Sequence, residues 1–117
     1  LSICYDLRFP ELYRSYAKSG VHLMINIANW PVPRIAHWDS LLPARAIENL
    51  AYFAACNRTG SDPLVSYSGS SKVITPMGLT AALASEESEI IRIYTIDKEE
   101  IASVRNKLPF LNDITLI

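Results

Sequence analysis

The chain has 117 residues, 50% of them hydrophobic and 20% charged, with a formal net charge of −1 at pH 7. That length and composition suit one domain with its own core, so residues 1–117 are read as a single unit. The near-neutral charge argues against nucleic acid or an anionic membrane surface as partner, and no apolar run approaches the ~18 residues of a membrane span.

Residues 1–4 read as the end of a buried strand. A polar turn follows, then a helix over 8–19 in which Leu12, Tyr13 and Tyr16 fall at helical spacing. Pro10 is tolerated in its first turn and Gly20 ends it. Cys4 therefore stands at a strand-to-helix turn, where unpaired N–H groups and their partial positive charge favour a thiolate. It is a candidate nucleophile; the alternative is a buried small hydrophobe. Arg8 has two readings: an ion pair with Asp6 or Glu11, or a guanidinium facing a pocket and suited to a carboxylate. Glu11 and Arg14, three apart, can pair on the surface.

Residues 21–28 are apolar and partly β-branched, as in a second buried strand. The resulting strand–helix–strand unit gathers functional groups beyond the carboxyl ends of its strands. Cys4 and Asn29-Trp30 both stand there. Asn29 can offer amide hydrogen bonds and Trp30 an apolar pocket wall; alternatively, Pro31 and Pro33 make this segment only a rigid loop. Residues 35–50 read as a second helix with Ile35, Trp38, Leu42 and Ala46 on one stripe. Pro43 removes a helical hydrogen bond and is expected to bend or loosen it. Arg45 and Glu48 are expected to form a structural pair.

Residues 51–57 read as a third buried strand, which places Cys56 in the core. Residues 59–63 read as a loop, 67–76 as a strand entered through Ser and Gly, and Pro76-Met77-Gly78 as a turn. Residues 79–84 and 89–96 are expected to form a closing hairpin joined by Ser85-Glu86-Glu87-Ser88. Asp97 is expected to cap a last helix running through Val104, and the tail from 106 has no pattern. The chain opens on Leu1 without an initiator Met, so it is expected to be a fragment. Two cysteines are too few for a disulfide framework; a working thiol suits a reducing compartment, and the cytoplasm is the expected location.

Several blocks together carry a family likeness. Ile3-Cys4-Tyr5-Asp6-Leu7-Arg8-Phe9-Pro10-Glu11-Leu12 resembles the nucleophile segment of the nitrilase superfamily, carbon–nitrogen hydrolases that attack amides and nitriles with a cysteine. Asn29-Trp30-Pro31 with Pro33-Arg34, His37-Trp38, Ala44-Arg45-Ala46-Ile47-Glu48-Asn49 and Cys56-Asn57-Arg58 follow in the matching order. Tyr67-Ser68-Gly69-Ser70-Ser71 with Pro76-Met77-Gly78 closes the series. The sequence is most similar to the omega-amidase branch, which acts on small omega-amides of dicarboxylic acids.

The resemblance implies an α/β fold, the C-terminal half of a four-layer α-β-β-α sandwich. It implies Cys4 as nucleophile, the Tyr5 N–H as oxyanion donor, and Asn29, Trp30 and Arg8 as substrate-binding residues. An amide of a dicarboxylic or 2-oxo acid would be cleaved to acid and ammonia through a thioester, without metal or cofactor. Relatives carry the glutamate acid–base and the lysine ahead of the cysteine, upstream of Leu1, so these 117 residues alone are expected to be inactive. A homodimer is expected through helices 8–19 and 35–50, with Trp38 and Tyr16 on its face. Pro43, Leu50 and the missing acid near Ser70 depart from the family pattern. Other readings are a papain-like hydrolase using His22 or His37, a zinc site drawn from Cys4, Cys56, His22 and His37, and a non-catalytic subunit that binds or dimerises. Neither histidine has an evident orienting partner, and the zinc set lacks a close-spaced ligand pair.

Overall fold

Three parallel strands carry the first half of the chain in a computed structural model that describes residues 1–84 and 89–116. They are β1 (Ser2–Ile3), β2 (Leu23–Ala28) and β3 (Tyr52–Asn57). Ile3 pairs with Ile27, and Ile27 with Cys56, so the three strands end nearly level. Helices α1 (Pro10–Lys18) and α2 (Ile35–Asn49) return the chain between them. Both pack on one face of the sheet, where Leu7, Tyr13, Trp30, Trp38, Leu42 and Phe53 form the centre of the core. Fully burying such side chains contributes roughly 1.5–3 kcal/mol each.

Strand alternation decides which side chains reach that core. Met24, Asn26, Phe53, Ala55 and Asn57 face it and are buried, while Ile25, Ile27 and Cys56 point to the opposite face and are exposed. Cys56 is thus not a core residue. Its strand is apolar throughout, and sequence alone does not say which face the helices cover. Trp38 is corrected in the other direction. It is wholly buried, donating Nε1–H to the Ser70 carbonyl at 3.0 Å, and is not available on an outer helix face.

The first α-helix begins at Pro10, its N1 residue, rather than at residue 8; residues Cys4–Arg8 form a separate 3-10 turn. Helix α2 runs through Pro43 without a break. It stops at Leu50, which takes the left-handed conformation (φ 45°, ψ 52°) of a helix C-terminus.

The second half is antiparallel. β4 (Thr59–Ser61) and β5 (Ser66–Ser68) form a small hairpin, so residues 59–63 are partly strand rather than loop. The single strand expected over 67–76 is broken into β5 and β6 (Lys72–Ile74), which belong to different sheets. The break is at Gly69 (φ 68°) and Ser70 (φ 59°), both outside the region an extended strand permits. β7 (Thr80–Leu83) pairs back on β6, giving the sheet order β1-β2-β3-β6-β7. The closing hairpin is therefore β6–β7. Residues 89–96 form no strand, and the expected Ser85-Glu86-Glu87-Ser88 connection lies outside the described residues.

The β6–β7 turn bonds Gly78 N–H to the Thr75 carbonyl at 2.9 Å. Gly78 is favoured there by its φ of +83°, and a Cβ would also press within 2.5 Å of Ile47 Cδ1 on α2, so that side chain would have to shift. Helix α3 (Lys98–Lys107) is capped as expected, Asp97 Oδ1 accepting from Glu99 N–H at 2.9 Å, and it extends past Val104. A 3-10 turn, Pro109–Asp113, interrupts the tail. Among the described residues no helix is long and apolar enough to cross a membrane.

Candidate active site

Three consecutive strand ends build one rim. β1 runs directly into Cys4, β2 into Asn29 and Trp30, and β3 ends on Asn57 with Arg58 next. Between them lies an open cavity of about 590 Å³ lined by Cys4, Ile27, Asn29, Cys56, Asn57 and Arg58, among others.

Cys4 is half-buried and takes φ 40°, a left-handed conformation that costs a non-glycine residue on the order of 1–2 kcal/mol. Its sulfur lies 3.9 Å from the Asn29 carbonyl oxygen. The surroundings hold this turn on every side. Ahead of it, Ile3 N–H donates to Asp6 Oδ2 at 2.9 Å. Behind it, the carbonyl of buried Leu7 accepts from Arg45 Nε at 3.1 Å, and Arg45 is in turn paired with Glu48 at 3.2 Å. Beneath it, the Ser2 hydroxyl accepts from Tyr13 OH (2.8 Å) and Asn26 Nδ2 (3.0 Å) and donates to the Ile25 carbonyl (3.0 Å). Burial, foremost, raises the Tyr13 phenol above its ordinary pKa and keeps it a donor. The Tyr5 N–H belongs to the opening turn after Cys4, where no earlier carbonyl of that turn can accept it. The Tyr5 ring is exposed and rests edge-on against Phe9 at 5.2 Å.

Asn57 fixes the middle of the rim. Its side chain accepts from Trp30 N–H (2.6 Å) and donates to the Trp30 and Gly69 carbonyls (3.0 and 2.8 Å), while its own N–H donates to Ser71 Oγ at 2.8 Å. One buried amide thus ties the Asn29-Trp30 segment to the Gly69-Ser70 break, and through Asn29 sets the carbonyl nearest the thiol.

Asn29 lines the cavity and is exposed, as a substrate-facing residue would be. Trp30 is not a pocket wall. It is 2% exposed, packs on Trp38 at 5.6 Å between ring centres, and donates Nε1–H to the Arg34 carbonyl. A large apolar ring beside two prolines finds more contact under the loop than in the open cavity. Arg8 forms neither ion pair expected of it, nor does it line the cavity. Its guanidinium lies 4.7 Å above the Trp30 ring and donates to His37 Nδ1 at 3.2 Å. The Glu11–Arg14 pair is replaced by a bond from Arg14 to the Glu48 carbonyl.

Asn57 and Arg58 carry no role in the sequence reading. Among the described residues, Arg58 is the charged side chain lining the cavity that holds Cys4. The signal was available: the strand-end rule that singled out Cys4 and Asn29 applies equally to the residue after β3. Among the described residues, no three or more of His, Cys, Asp and Glu gather where they could hold a metal ion.

The carbon–nitrogen hydrolase family matches residues 1–106 of the chain. A 2-oxoglutaramate amidase of Bacillus subtilis is 46% identical over 112 residues, covering 96% of this chain and 43% of that protein. The omega-amidase YafV of Escherichia coli K12 is 42% identical, covering 95% and 43%. Among solved structures, XC1258 of Xanthomonas campestris, described as a CN-hydrolase superfamily protein with an arsenic adduct in its active site, superposes with a TM-score of 0.91. It shares 36% identity over 98% of this chain and 46% of its own. Nit3 of Saccharomyces cerevisiae, a nitrilase-superfamily member, gives 0.81 at 35% identity, over 92% and 40%. The chain thus spans less than half the length of these relatives, and its sheet and helices are those of a partial nitrilase-like fold.

Proposed function

The chain belongs to the carbon–nitrogen hydrolase family, and from that premise we propose that it carries the nucleophile of a cysteine amidase acting on small omega-amides of dicarboxylic or 2-oxo acids. Cys4 Sγ attacks the amide carbonyl carbon. The tetrahedral oxyanion meets the Tyr5 N–H, the C–N bond breaks, and ammonia leaves with a proton from the acid–base group. Water then cleaves the thioester, returning the acid and the free thiol.

The observation that carries this reading is the placement of Cys4: a strained, half-buried residue at a strand end, pinned from three sides and facing an open cavity. Strain held in place by so many contacts is characteristic of sites where geometry serves chemistry. The two amidases named above lend the substrate class.

Among the described residues, none that lines this cavity is His, Asp, Glu or Lys. By the family likeness we assign the acid–base glutamate and the lysine to residues outside these 117, and expect the 117 residues alone to release no ammonia. The same gap favours a second reading, a non-catalytic subunit that binds or dimerises. Ammonia release from a series of omega-amides separates the two, using the protein expressed from its whole reading frame and its Cys4→Ala variant. Turnover that depends on Cys4 supports the amidase; no turnover of any amide supports the subunit.

A homodimer through α1 and α2 belongs to the same proposal, with Tyr16 rather than Trp38 on its face; sedimentation of the whole protein tests it. A reducing compartment such as the cytoplasm would suit its two free cysteines.

A further inference from the structure

We propose that Arg58 is a specificity-determining residue, forming a carboxylate subsite in the cavity of Cys4 and selecting amides whose far end is an anion. The inference rests on the amidase reading and names the group that reads the substrate's other end.

Cys4, Asn29 and Arg58 follow on β1, β2 and β3, which are neighbours in the sheet and end in register. With strands about 4.8 Å apart, the backbones of Cys4 and Arg58 lie roughly 10 Å from each other. An arginine side chain and a short dicarboxylic monoamide together span that gap.

The guanidinium is held but not used up. Its backbone is anchored on both sides, Arg58 N–H donating to the Ala28 carbonyl and its carbonyl accepting from Gly69 N–H, each at 3.0 Å. Its side chain lies 4.6 Å over the Tyr67 ring and donates to the Ser61 carbonyl at 3.3 Å. It also forms an ion pair with Asp62, long at 3.9 Å and beyond hydrogen-bond range. Asp62 is committed elsewhere, accepting from Tyr67 OH (2.6 Å), Leu64 N–H (2.9 Å) and Val65 N–H (3.0 Å). A guanidinium has five N–H donors in a planar fork that matches a carboxylate bidentately, so donors remain on Arg58 beside its bond to Ser61 and its long pair with Asp62. The rest of the described lining is apolar or uncharged. Arg8 is the other guanidinium to weigh, and its place over Trp30 and against His37 keeps it off the cavity.

The experiment uses the protein expressed from its whole reading frame, with Arg58→Gln, Arg58→Lys and Arg8→Gln variants. The quantity is the ratio of kcat/KM for a dicarboxylic monoamide to that for an uncharged amide of equal length. Arg58→Gln should lower that ratio on the order of 10- to 100-fold, the effect of losing a charge-assisted bond. Arg58→Lys should keep part of it, and Arg8→Gln should lower it less than either. A second readout is independent of turnover: the rate of Cys4 alkylation by iodoacetate relative to iodoacetamide, with the adduct located by mass spectrometry. A positive charge beside the thiol favours the anionic reagent, and Arg58→Gln should remove that preference. Both ratios unchanged in Arg58→Gln, or a fall confined to Arg8→Gln, would overturn the assignment. If the unaltered protein hydrolyses no amide, the amidase reading fails, while the alkylation ratio still decides whether Arg58 acts on anions at Cys4.

Discussion

The two ends of the parallel strands are held together differently. At the amino ends, polar side chains close the structure. Arg105 of α3 donates to the Leu50 carbonyl (3.1 Å) and the Val21 carbonyl (2.7 Å), and the Tyr52 hydroxyl bonds the Glu100 carboxylate. Burial, foremost, raises the Tyr52 pKa and keeps its hydroxyl a donor, while burial holds the Arg105 pKa down, a cost that its two bonds to carbonyls offset. At the carboxyl ends, polar side chains hold loops apart. Asn57, Asp6 and Arg45 fix backbone that would otherwise relax, and leave a cavity between Cys4, Asn29 and Arg58. The same chemistry, a side chain on a backbone carbonyl, makes a seam at one end and a frame at the other. Stability alone accounts for the seam; the frame keeps a strained cysteine facing open space.

Substitutions can test that division. Cys4→Ala should abolish amide turnover in the whole protein, by on the order of 10⁴-fold or more in kcat, with little change in thermal midpoint. Asn57→Ala should cost about 2 kcal/mol or more, since it strands the Trp30 and Gly69 backbone groups it now pairs. Denaturant unfolding reads that loss, and kcat should fall well beyond what the lost stability explains. Arg105→Ala should cost about 1–3 kcal/mol by the same argument and leave kcat/KM untouched, because it belongs to the seam. A substantial fall in kcat/KM for folded Arg105→Ala would erase the distinction between the two ends.

The smallest effect concerns acid. The Tyr67 hydroxyl, first, and the Leu64 and Val65 N–H groups hold the Asp62 carboxyl below its ordinary pKa. A depressed carboxyl pKa adds stability that is present above the unfolded value, near 3.8, and lost as pH falls through the lower folded value. The β4–β5 hairpin should therefore loosen selectively in strong acid, with faster amide exchange at Leu64 and Val65, and Asp62→Asn should remove the pH dependence.

The parallel half was the legible half. Residues 21–28 and 51–57 are β-branched or apolar runs bounded by a glycine and by helix signals, and Cys4 stands where a strand must turn. Which face of those strands is covered is not a local property, and so Cys56, expected in the core, is exposed; Trp38 keeps its stripe with Leu42 and Ala46 but faces the sheet rather than a partner subunit. Trp30 failed for a related reason: an aromatic ring at a strand end can be wall or floor, and only its bonds to Asn57 and Arg34 make it floor. The antiparallel half hid its main break at Ser70, a residue type that gives little warning of a positive φ. Within the site, the family likeness implies Arg8 as substrate-binding, whereas its guanidinium lies over Trp30 and against His37. Three aligned strand ends bring residues 4, 29 and 58 together, which no local pattern in the chain shows.

The central claim is that Cys4 carries the acyl group. The direct measurement is acid-quenched turnover of an omega-amide by the whole protein, followed by peptide mass spectrometry for the thioester. The account predicts an acyl adduct on the peptide containing Cys4, absent from Cys4→Ala. Turnover that persists in Cys4→Ala, or an adduct found on Cys56, would contradict it.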